Sequence, residues 1–318
     1  MRAVWLREFG GPEKLEPGTA PDPAPGPGQV LVEVAHANLT FVETMFRATG
    51  FGPNRGSLPV IPGNGVGGVV RAVGPDVDPA LVGRRVVTGT GGSGGYAELV
   101  AVDHEALHPV PDGLALDRAV ALLADGRTAV MLIETAGLRT GERVLVEAAA
   151  GGVGSLLVQL AARAGTRVVA AAGGARKTAL LPALGAHLAV DYTEPDWSDR
   201  VRAAVGGVDV VLDGVGGTLA RTAYELLDPG GRLVSFGLAS GDWAAVTPDE
   251  ARARGVTLLR PAPTPAQLRA YTRQALADGA AGRLRPLIGQ RFPLERAADA
   301  HAAIEARATV GKTLLDVR

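Results

Sequence analysis

Residues 143 to 259 repeat one pattern, in which a short apolar run is followed by a segment with helical periodicity. Short continuous apolar runs predict strands that are buried on both faces, and crossover helices between them make such strands parallel. Six strands joined in this way form a doubly wound parallel sheet, which places the chain in the α/β class. The strands are predicted at Arg143–Ala148, Arg167–Ala171, Leu188–Asp191, Val208–Leu212, Arg232–Phe236 and Val256–Leu259.

The segments on either side of this alternation have a different pattern. From Gln29 to about Pro111, β-rich runs such as RRVVTG and GGYAELVAV are broken by glycines, which predicts a compact antiparallel β domain. After Pro261 the alternation stops, and we expect the tail to rejoin the N-terminal domain. The predicted domains are thus residues 1–115 with 262–318, and residues 116–261. The tail is expected to contain two helices and a closing strand, near Pro265–Leu276, Leu294–Ala306 and Lys312–Val317.

Composition excludes several classes of partner. The net charge of the 318 residues is −1 and no block of basic residues occurs, so nucleic acid and anionic membranes are poor candidates as partners. The longest apolar runs, such as Leu156–Ala162, are too short to span a membrane, and the N-terminal MRAVWLREFG lacks the features of a secretory signal. The chain contains no cysteine, which is compatible with the cytoplasm. We therefore expect a soluble cytoplasmic protein.

Three glycine-rich segments are candidates for binding the phosphates of a nucleotide. The pattern G-x-G-x-x-G occurs at Gly63–Gly68 and Gly89–Gly94, but both segments lead into strand-like sequence. A phosphate site needs a glycine turn between a strand and the N-terminus of a helix. Ala149–Gly154 has that context, although Ala149 replaces the first glycine. Since this replacement is tolerable if the turn needs no positive φ there, Ala149–Gly154 is the predicted dinucleotide site.

The end of the second predicted strand distinguishes NADPH from NADH. In this fold an acidic residue at that place binds the ribose 2′-hydroxyl of NAD. Here the strand ends in Ala172–Gly174, with no acid before Asp191, and Arg176 and Lys177 follow directly. Small residues such as Gly173 leave room for a 2′-phosphate and a cation can pair with it, so NADPH is the predicted cofactor. The alternative is that both cations are exposed residues of a helical turn.

The order of these parts resembles a known family. The segments GPGQVLVEV, LPVIPGNGVGGVV, LLADGRTAVMLI, VLVEAAAGGVG, LVSFG and GKTLLDV resemble the zinc-independent quinone oxidoreductase branch of the medium-chain dehydrogenase/reductase superfamily. The resemblance covers essentially the whole chain and implies a GroES-like β-rich catalytic domain beside a Rossmann domain. Zinc-dependent members carry a His-Glu pair where this chain has Asn64 and Gly65, and cysteine ligands in addition. His104 and His108 have a metal-ligand spacing but lie beside a loop with proline, so no metal is expected.

The resemblance also implies roles for particular residues. The glycine turn would hold the pyrophosphate, a lysine and a tyrosine the 2′-phosphate, and the strand end LVSFG the nicotinamide, while the C-terminal strand would close over the cofactor. From the residues alone, Thr128 could equally cap or pack a helix, and Phe236 could belong to the core. The implied cofactor-binding residues are Ala149, Gly151, Gly152, Val153, Gly154, Gly173, Lys177, Tyr192, Ser235, Phe236, Gly237, Gly311 and Lys312, with Thr128 near the nicotinamide ribose.

One stretch departs from the family pattern. The usual Asn-Pro-Val-Asp-Thr-Tyr reads here TFVETM, so that Thr40 replaces an asparagine that faces the nicotinamide and Met45 replaces a tyrosine near the substrate. A methionine adds an apolar, adaptable wall and cannot donate a proton. Thr40, Met45 and Thr128 are therefore the candidates for the catalytic pocket, and Asn38 and Glu43 are further candidates for a polar role.

These features predict an NADPH-dependent reductase that transfers hydride to a quinone or another conjugated carbonyl compound without a metal. In such an acceptor the negative charge delocalises onto oxygen, so orientation supplies much of the rate. An enoyl reductase acting on an α,β-unsaturated ketone or thioester is the alternative enzyme, and a non-catalytic NADPH-binding protein is the alternative from another class. A homodimer is expected through Gly255–Pro263, unless the C-terminal helices of the same chain cover that edge.

Overall fold

The computed structural model describes residues 1–52 and 57–318, and they form two compact units. Unit 1 comprises Met1–Ala124 with Thr272–Arg318, and unit 2 comprises Asp125–Tyr271. The strands are β1 (Arg2–Leu6), β2 (Leu15–Thr19), β3 (Gln29–Leu39), β4 (Gly65–Val73), β5 (Arg85–Gly89), β6 (Leu99–Asp103), β7 (His108–Pro109), β8 (Arg143–Val146), β9 (Arg167–Ala172), β10 (Leu188–Asp191), β11 (Val208–Asp213), β12 (Leu227–Ser235), β13 (Thr257–Leu259), β14 (Ile288–Pro293) and β15 (Lys312–Asp316).

The α-helices are α1 (Phe41–Thr49), α2 (Leu116–Ala136), α3 (Gly152–Arg163), α4 (Ala175–Thr178), α5 (Trp197–Val205), α6 (Gly217–Glu225), α7 (Pro248–Ala253), α8 (Pro265–Ala280) and α9 (Ala297–Glu305). The unit boundaries fall inside α2 and α8, whereas the boundaries expected from sequence at 115/116 and 261/262 precede both helices. No helix of the described residues is long and apolar enough to cross a membrane.

Unit 2 is a doubly wound α/β domain. Its strands lie in the order β10-β9-β8-β11-β12-β13, and every neighbouring pair is parallel. The central strands are buried on both faces, which explains why their sequences are continuous apolar runs. Chain order reverses between β8 and β11, and the carboxyl ends of strands at such a point border the ligand crevice of this fold. The six-stranded Rossmann sheet expected from the sequence is confirmed.

The strand ends in unit 2 differ from the sequence-based expectation. β8 ends at Val146 rather than at Ala148, because the chain turns there toward α3. β12 begins at Leu227 rather than at Arg232, and its register with β11 shifts between Val208 and Val210. An irregularity of this kind accommodates the Asp-Pro-Gly-Gly segment, which by sequence alone is typical of a loop.

Unit 1 is built on a seven-stranded β sheet. Its strands lie in the order β14-β15-β3-β4-β5-β7, with β6 paired to β3, while β1 and β2 form a separate pair. The strands between Gln29 and Pro109 pair antiparallel, as expected, whereas β14 and β15 of the tail run parallel to each other and make the sheet a mixed one. The C-terminal strand β15 pairs with β3, so the tail lies in the same unit as the N-terminal half. The helix expected at Leu294–Ala306 begins with a 3-10 turn, Leu294–Arg296, and continues as α9.

Candidate functional site

The glycine turn after β8 leads directly into the first turn of α3. Gly151 is the N-cap of α3, with φ −80° and ψ 178°, and its N–H donates to the Ala148 carbonyl at 2.8 Å. The residue in the left-handed region is Ala148, with φ 45°, and Ala149 is not among the residues with positive φ. Position 149 therefore does not require a glycine, which is the condition under which the departure from G-x-G-x-x-G is tolerable.

Close packing of α3 on this turn explains the last glycine of the segment. A Cβ atom on Gly154 would lie 2.8 Å from the Ala148 carbonyl carbon, and closer still to its oxygen. The first N–H groups of a helix have no acceptor within the helix. A pyrophosphate placed against Gly151–Val153 would accept hydrogen bonds from them and would be stabilised by the helix dipole. The turn thus has the geometry that a dinucleotide requires.

The two literal G-x-G-x-x-G segments lead into strands, as expected from their sequences. Gly65–Gly68 opens β4, and a Cβ atom on Gly68 would lie 2.8 Å from the Glu33 carbonyl carbon of β3. Gly63, at φ 99°, would place a Cβ atom 2.8 Å from Tyr96 Cε1 and closer still to Cδ1. Gly91 and Gly94 in the second segment have φ values of 77° and 92°. These glycines are required by close strand packing and by tight turns.

The turn after β9, where the adenosine is expected, is held by a carboxylate from the next strand. Asp191 lies opposite Ala172 at the ends of β10 and β9. Its Oδ1 atom accepts hydrogen bonds from Gly174 N at 2.9 Å, Thr193 N at 2.9 Å and Thr193 Oγ1 at 2.6 Å. Burial acts to raise the pKa of Asp191, but these hydrogen bonds lower it overall. The acid nearest to the turn is therefore already engaged in shaping the turn itself.

The residues expected at the 2′-phosphate lie around this turn. A Cβ atom on Gly173 would lie 3.0 Å from Tyr192 Cε2, so the tyrosine ring covers Gly173. Lys177 lies in the short helix α4, which packs on β9 and β10. Lys177 is half-buried and Arg176 is exposed, and both side chains make polar or electrostatic contacts. The structure thus brings Gly173 and Tyr192 into contact and places Lys177 on the adjoining helix.

The segment expected at the nicotinamide is joined to the end of β11. Ser235 Oγ donates to Asp213 Oδ2 at 2.9 Å, and Phe236 N donates to the Asp213 carbonyl at 2.9 Å. A Cβ atom on Gly237 would lie 2.5 Å from the Gly214 carbonyl oxygen, so the two segments are in close contact. Phe236 is half-buried rather than enclosed in the core. Because the Ser235 hydroxyl is engaged by Asp213, the backbone of residues 235–237 is the part suited to bind a carboxamide. Thr128 lies half-buried in α2.

Two buried carboxyl groups at the ends of β8 and β11 were not found by sequence reasoning. Glu147 and Asp213 are each 0% exposed. Asp213 accepts from Val215 N at 3.0 Å and from Gly216 N at 2.7 Å. Burial, followed by the charge of Asp213, raises the pKa of Glu147 well above its usual range. The signal in the sequence was an acid at the end of an otherwise apolar strand, in VLVEA and again in VVLDG.

A separate polar cluster in unit 1 holds the start of α1. Glu43 Oε2 accepts from Thr40 N at 2.6 Å and from Thr40 Oγ1 at 3.1 Å, and Glu43 Oε1 accepts from Asn64 N at 2.8 Å. Glu43 is 1% exposed, and burial raises its pKa although these hydrogen bonds and the charge of Lys312 act in the opposite direction. Glu43 therefore joins the N-terminus of α1 to the segment before β4. The Thr40 hydroxyl is engaged in that contact.

The other candidates in unit 1 are placed differently. Asn38 is buried in β3, and its Oδ1 atom has no hydrogen-bond partner among the described residues. Met45 is half-buried in α1. Lys312 is 3% exposed at the start of β15, directly after Gly311, which has φ 56°. Glu43 does not bond to Asn38 or Met45. The Asn38 amide and the Met45 thioether are therefore the remaining candidate side chains near the start of α1.

The donor set of the chain does not fit zinc. The chain has no cysteine, and Asn64 and Gly65 stand at the position where the resemblance implies a His-Glu pair in zinc-dependent members. Across residues 1–52 and 57–318, no three His, Cys, Asp or Glu side chains are grouped so as to hold a metal ion. His104 belongs to a 3-10 turn and its Nδ1 atom lies 2.8 Å from the Gly28 carbonyl oxygen, whereas His108 begins β7. The two histidines do not share a helical face.

Comparison with known proteins places the chain in a family. Residues 26–112 match the alcohol dehydrogenase GroES-like domain, and residues 184–315 match the zinc-binding dehydrogenase model. A quinone oxidoreductase of Pseudomonas aeruginosa is 36% identical over 99% of both chains. The Thermus thermophilus quinone oxidoreductase, solved also with NADPH, is 36% identical over 100% of both chains with a TM-score of 0.82. The Escherichia coli quinone oxidoreductase complexed with NADPH is 28% identical, with a TM-score of 0.91, over 99% of this chain and 100% of that one. The chain therefore belongs to the zinc-independent quinone oxidoreductase branch of the medium-chain dehydrogenase/reductase superfamily.

Proposed function

We propose that this protein is an NADPH-dependent oxidoreductase that transfers hydride to a quinone or another conjugated carbonyl compound. The observation that carries the proposal is the turn Ala148–Gly154, whose helix N-terminus and close packing suit a pyrophosphate. Two relatives with the same fold are described as complexes with NADPH. Lys177, on the helix after the Asp191-bound turn, supplies a cation for the 2′-phosphate.

NADPH, when bound, supplies the hydride, and the residues of this chain bind and orient it. The first N–H groups of α3 would bind the pyrophosphate, and the backbone of residues 235–237 would bind the carboxamide. Met45 is the apolar candidate for contact with the acceptor, and Thr40 and Thr128 are the polar candidates. The donor set of this chain does not fit zinc, so we route no step through a metal.

A conjugated acceptor matches this set of side chains. Hydride addition to a quinone or enone places negative charge on a delocalised oxygen, which one or two hydrogen-bond donors can stabilise. Met45 cannot protonate a carbon atom, and the Thr40 hydroxyl donates to Glu43. Enoyl reduction needs a side chain that donates a proton to carbon, whereas quinone reduction does not. This difference favours the quinone over the enoyl thioester as substrate class.

An acceptor screen tests the proposal. The purified protein and NADPH are mixed with a quinone, an enone, an enoyl thioester or a saturated aldehyde, and the loss of NADPH absorbance is followed. We expect oxidation with the quinone, and none with the saturated aldehyde. Turnover with the enone or the enoyl thioester but not with the quinone would indicate an enoyl reductase. Stoichiometric NADPH binding without oxidation of any acceptor would indicate a non-catalytic binding protein, and no binding at all would refute the proposal.

We also infer that the protein forms a homodimer through β13. Among the described residues this strand pairs with β12 alone, so its other edge presents unpaired backbone groups. Leu258 and Leu259 are half-buried and Thr257 is exposed at that edge. Pairing with its copy around a two-fold axis would cover both edges at once. Sedimentation equilibrium should give twice the chain mass of 32.4 kDa, and a monomer mass that persists at high concentration would refute the dimer.

A further inference from the structure

The carboxyl groups of Glu147 and Asp213 lie at the point of the sheet where the strand order reverses. Glu147 follows β8, and its backbone N–H donates to the Leu212 carbonyl of β11 at 3.1 Å. Asp213 is the last residue of β11. Both residues are 0% exposed. The two acids are therefore held at the border of the crevice in which a doubly wound sheet binds its ligand.

The hydrogen-bond donors around the pair are distributed unequally. Asp213 accepts three hydrogen bonds, from the N–H groups of Val215 and Gly216 and from the hydroxyl of Ser235. Neither side-chain oxygen of Glu147 has a hydrogen-bond partner among the described residues. Three donors stabilise a carboxylate at Asp213, whereas a buried carboxylate without donors would be costly. The arrangement is satisfied when Glu147 carries a proton and donates it to Asp213.

We propose that Glu147 and Asp213 share one proton, and that this proton holds the turn after β8 and the turn after β11 in the arrangement that binds NADPH. The inference rests on the proposed function, because it assigns a positioning role at the same crevice. Asp213 also accepts hydrogen bonds from the Ser235 hydroxyl and the Phe236 N–H. The shared proton therefore connects the glycine turn after β8 with residues 235–237, where the nicotinamide is expected. Glu147 acts through these contacts and is a positioning residue.

Apart from Asp213, few titratable or polar groups near Glu147 affect its protonation. Its pKa is raised first by burial and then by the charge of Asp213 and a hydrogen bond to it, while the Val215 N–H acts in the opposite direction. Residues 148–154, which follow Glu147, carry no titratable side chain, and β12 contributes the Ser235 hydroxyl. Glu147 therefore gives up the shared proton as the pH rises above its raised pKa.

The pH dependence of NADPH affinity tests this role. Glu147→Gln keeps the shape and a donor toward Asp213 but cannot ionise, and Glu225→Gln, at an exposed position of α6, is the matched control. In the wild type and in Glu225→Gln, the NADPH dissociation constant should rise about tenfold as the pH passes the raised pKa of Glu147, as expected for the loss of one hydrogen bond. In Glu147→Gln the dissociation constant should not show this rise, because the glutamine side chain cannot deprotonate. Other groups at the cofactor site are the same in all three proteins, so they do not produce the difference.

Infrared spectroscopy gives a second, independent measurement. A neutral carboxylic acid has a C=O stretching band that a carboxylate lacks, so the wild type minus Glu147→Gln difference spectrum, recorded below the raised pKa of Glu147, should contain that band. The wild-type free energy of unfolding should also fall as the pH rises from 4.5 through the raised pKa of Glu147, more steeply than that of the variant. Identical affinity profiles for wild type and variant, or no band in the difference spectrum, would overturn the inference. A wild-type protein that binds no NADPH at any pH would instead refute the proposed function, and the band would still report on the shared proton.

Discussion

Gly154→Ala should disrupt the cofactor turn although it adds only one methyl group. The new Cβ atom would lie 2.8 Å from the Ala148 carbonyl carbon and 2.9 Å from Ala149 Cα. Carbon atoms in contact are separated by about 3.5–4.0 Å, so the helix and the turn must move apart by about 1 Å. Helix propensity favours alanine over glycine by about 1 kcal/mol, whereas overpacking costs about 1–3 kcal/mol. The free energy of unfolding should therefore fall by about 0–2 kcal/mol.

The effect on NADPH binding should be larger than the effect on stability. A shift of about 1 Å exceeds the range of N–H···O distances and removes one or two hydrogen bonds to the pyrophosphate. Each charge-assisted hydrogen bond is worth about 1.5–3 kcal/mol, so the dissociation constant should rise at least about tenfold. Fluorescence titration of NADPH measures this constant, and urea denaturation measures the stability.

Gly89→Ala is the matched control, because Gly89 opens the literal G-x-G-x-x-G segment at the end of β5. A Cβ atom there would meet only the Asn64 carbonyl oxygen, at an ordinary distance of 3.6 Å. NADPH affinity and stability should stay within about twofold and about 0.5 kcal/mol of the wild type. Unchanged affinity in Gly154→Ala, or a large loss in Gly89→Ala, would show that the phosphate-binding turn has been assigned to the wrong glycines.

Three further perturbations have expected outcomes. Lys177→Ala should raise the NADPH KM about tenfold or more and leave the NADH KM unchanged, because a charge-assisted contact to the 2′-phosphate is lost; equal effects on both would refute the assignment. Turnover should survive dialysis against a chelator, since the donor set does not fit zinc, and one equivalent of zinc by elemental analysis would contradict this. Burial, and then the charge of Arg47, lowers the pKa of His301 to about 3, so the unfolded chain binds more protons and stability should fall as the pH drops from 6.5 toward 3. The slope should reach about 1.4 kcal/mol per pH unit and be lost in His301→Gln, and an equal slope in both proteins would refute it.

The architecture of unit 2 was predictable because burial on both faces leaves a direct trace in sequence. Strands such as β8 and β11 are continuous apolar runs, and the spacing between them fits a crossover helix. The relative direction of the strands in unit 1 was not predictable in the same way. β14 and β15 lie parallel, but alternation of side chains is the same in parallel and antiparallel strands, so periodicity carries no sign of direction.

The candidate site was predictable where a backbone requirement selects the residue type. Gly154 is an example, since the close approach of α3 to Ala148 excludes a side chain. The polar candidates were harder, because their roles depend on partners that are remote in sequence. Thr40 and Asn64 both bond to Glu43, which turns a candidate for substrate contact into part of a helix N-terminus. Sequence patterns place these residues near one another but do not reveal which hydrogen bonds they make.

The three acids that end strands in unit 2 illustrate what such partners decide. Asp191 accepts three hydrogen bonds and its pKa is lowered, although burial acts in the opposite direction. Asp213 also accepts three, whereas Glu147 accepts none of ordinary geometry and its pKa is raised well above the usual range. Each of the three acids stands at the end of an apolar run, so the sequence alone does not distinguish them. Hydrogen bonds lower the pKa of Asp191, whereas burial and then the charge of Asp213 raise the pKa of Glu147. One strand end therefore holds a turn as an anion, while another carries the proton that joins two turns.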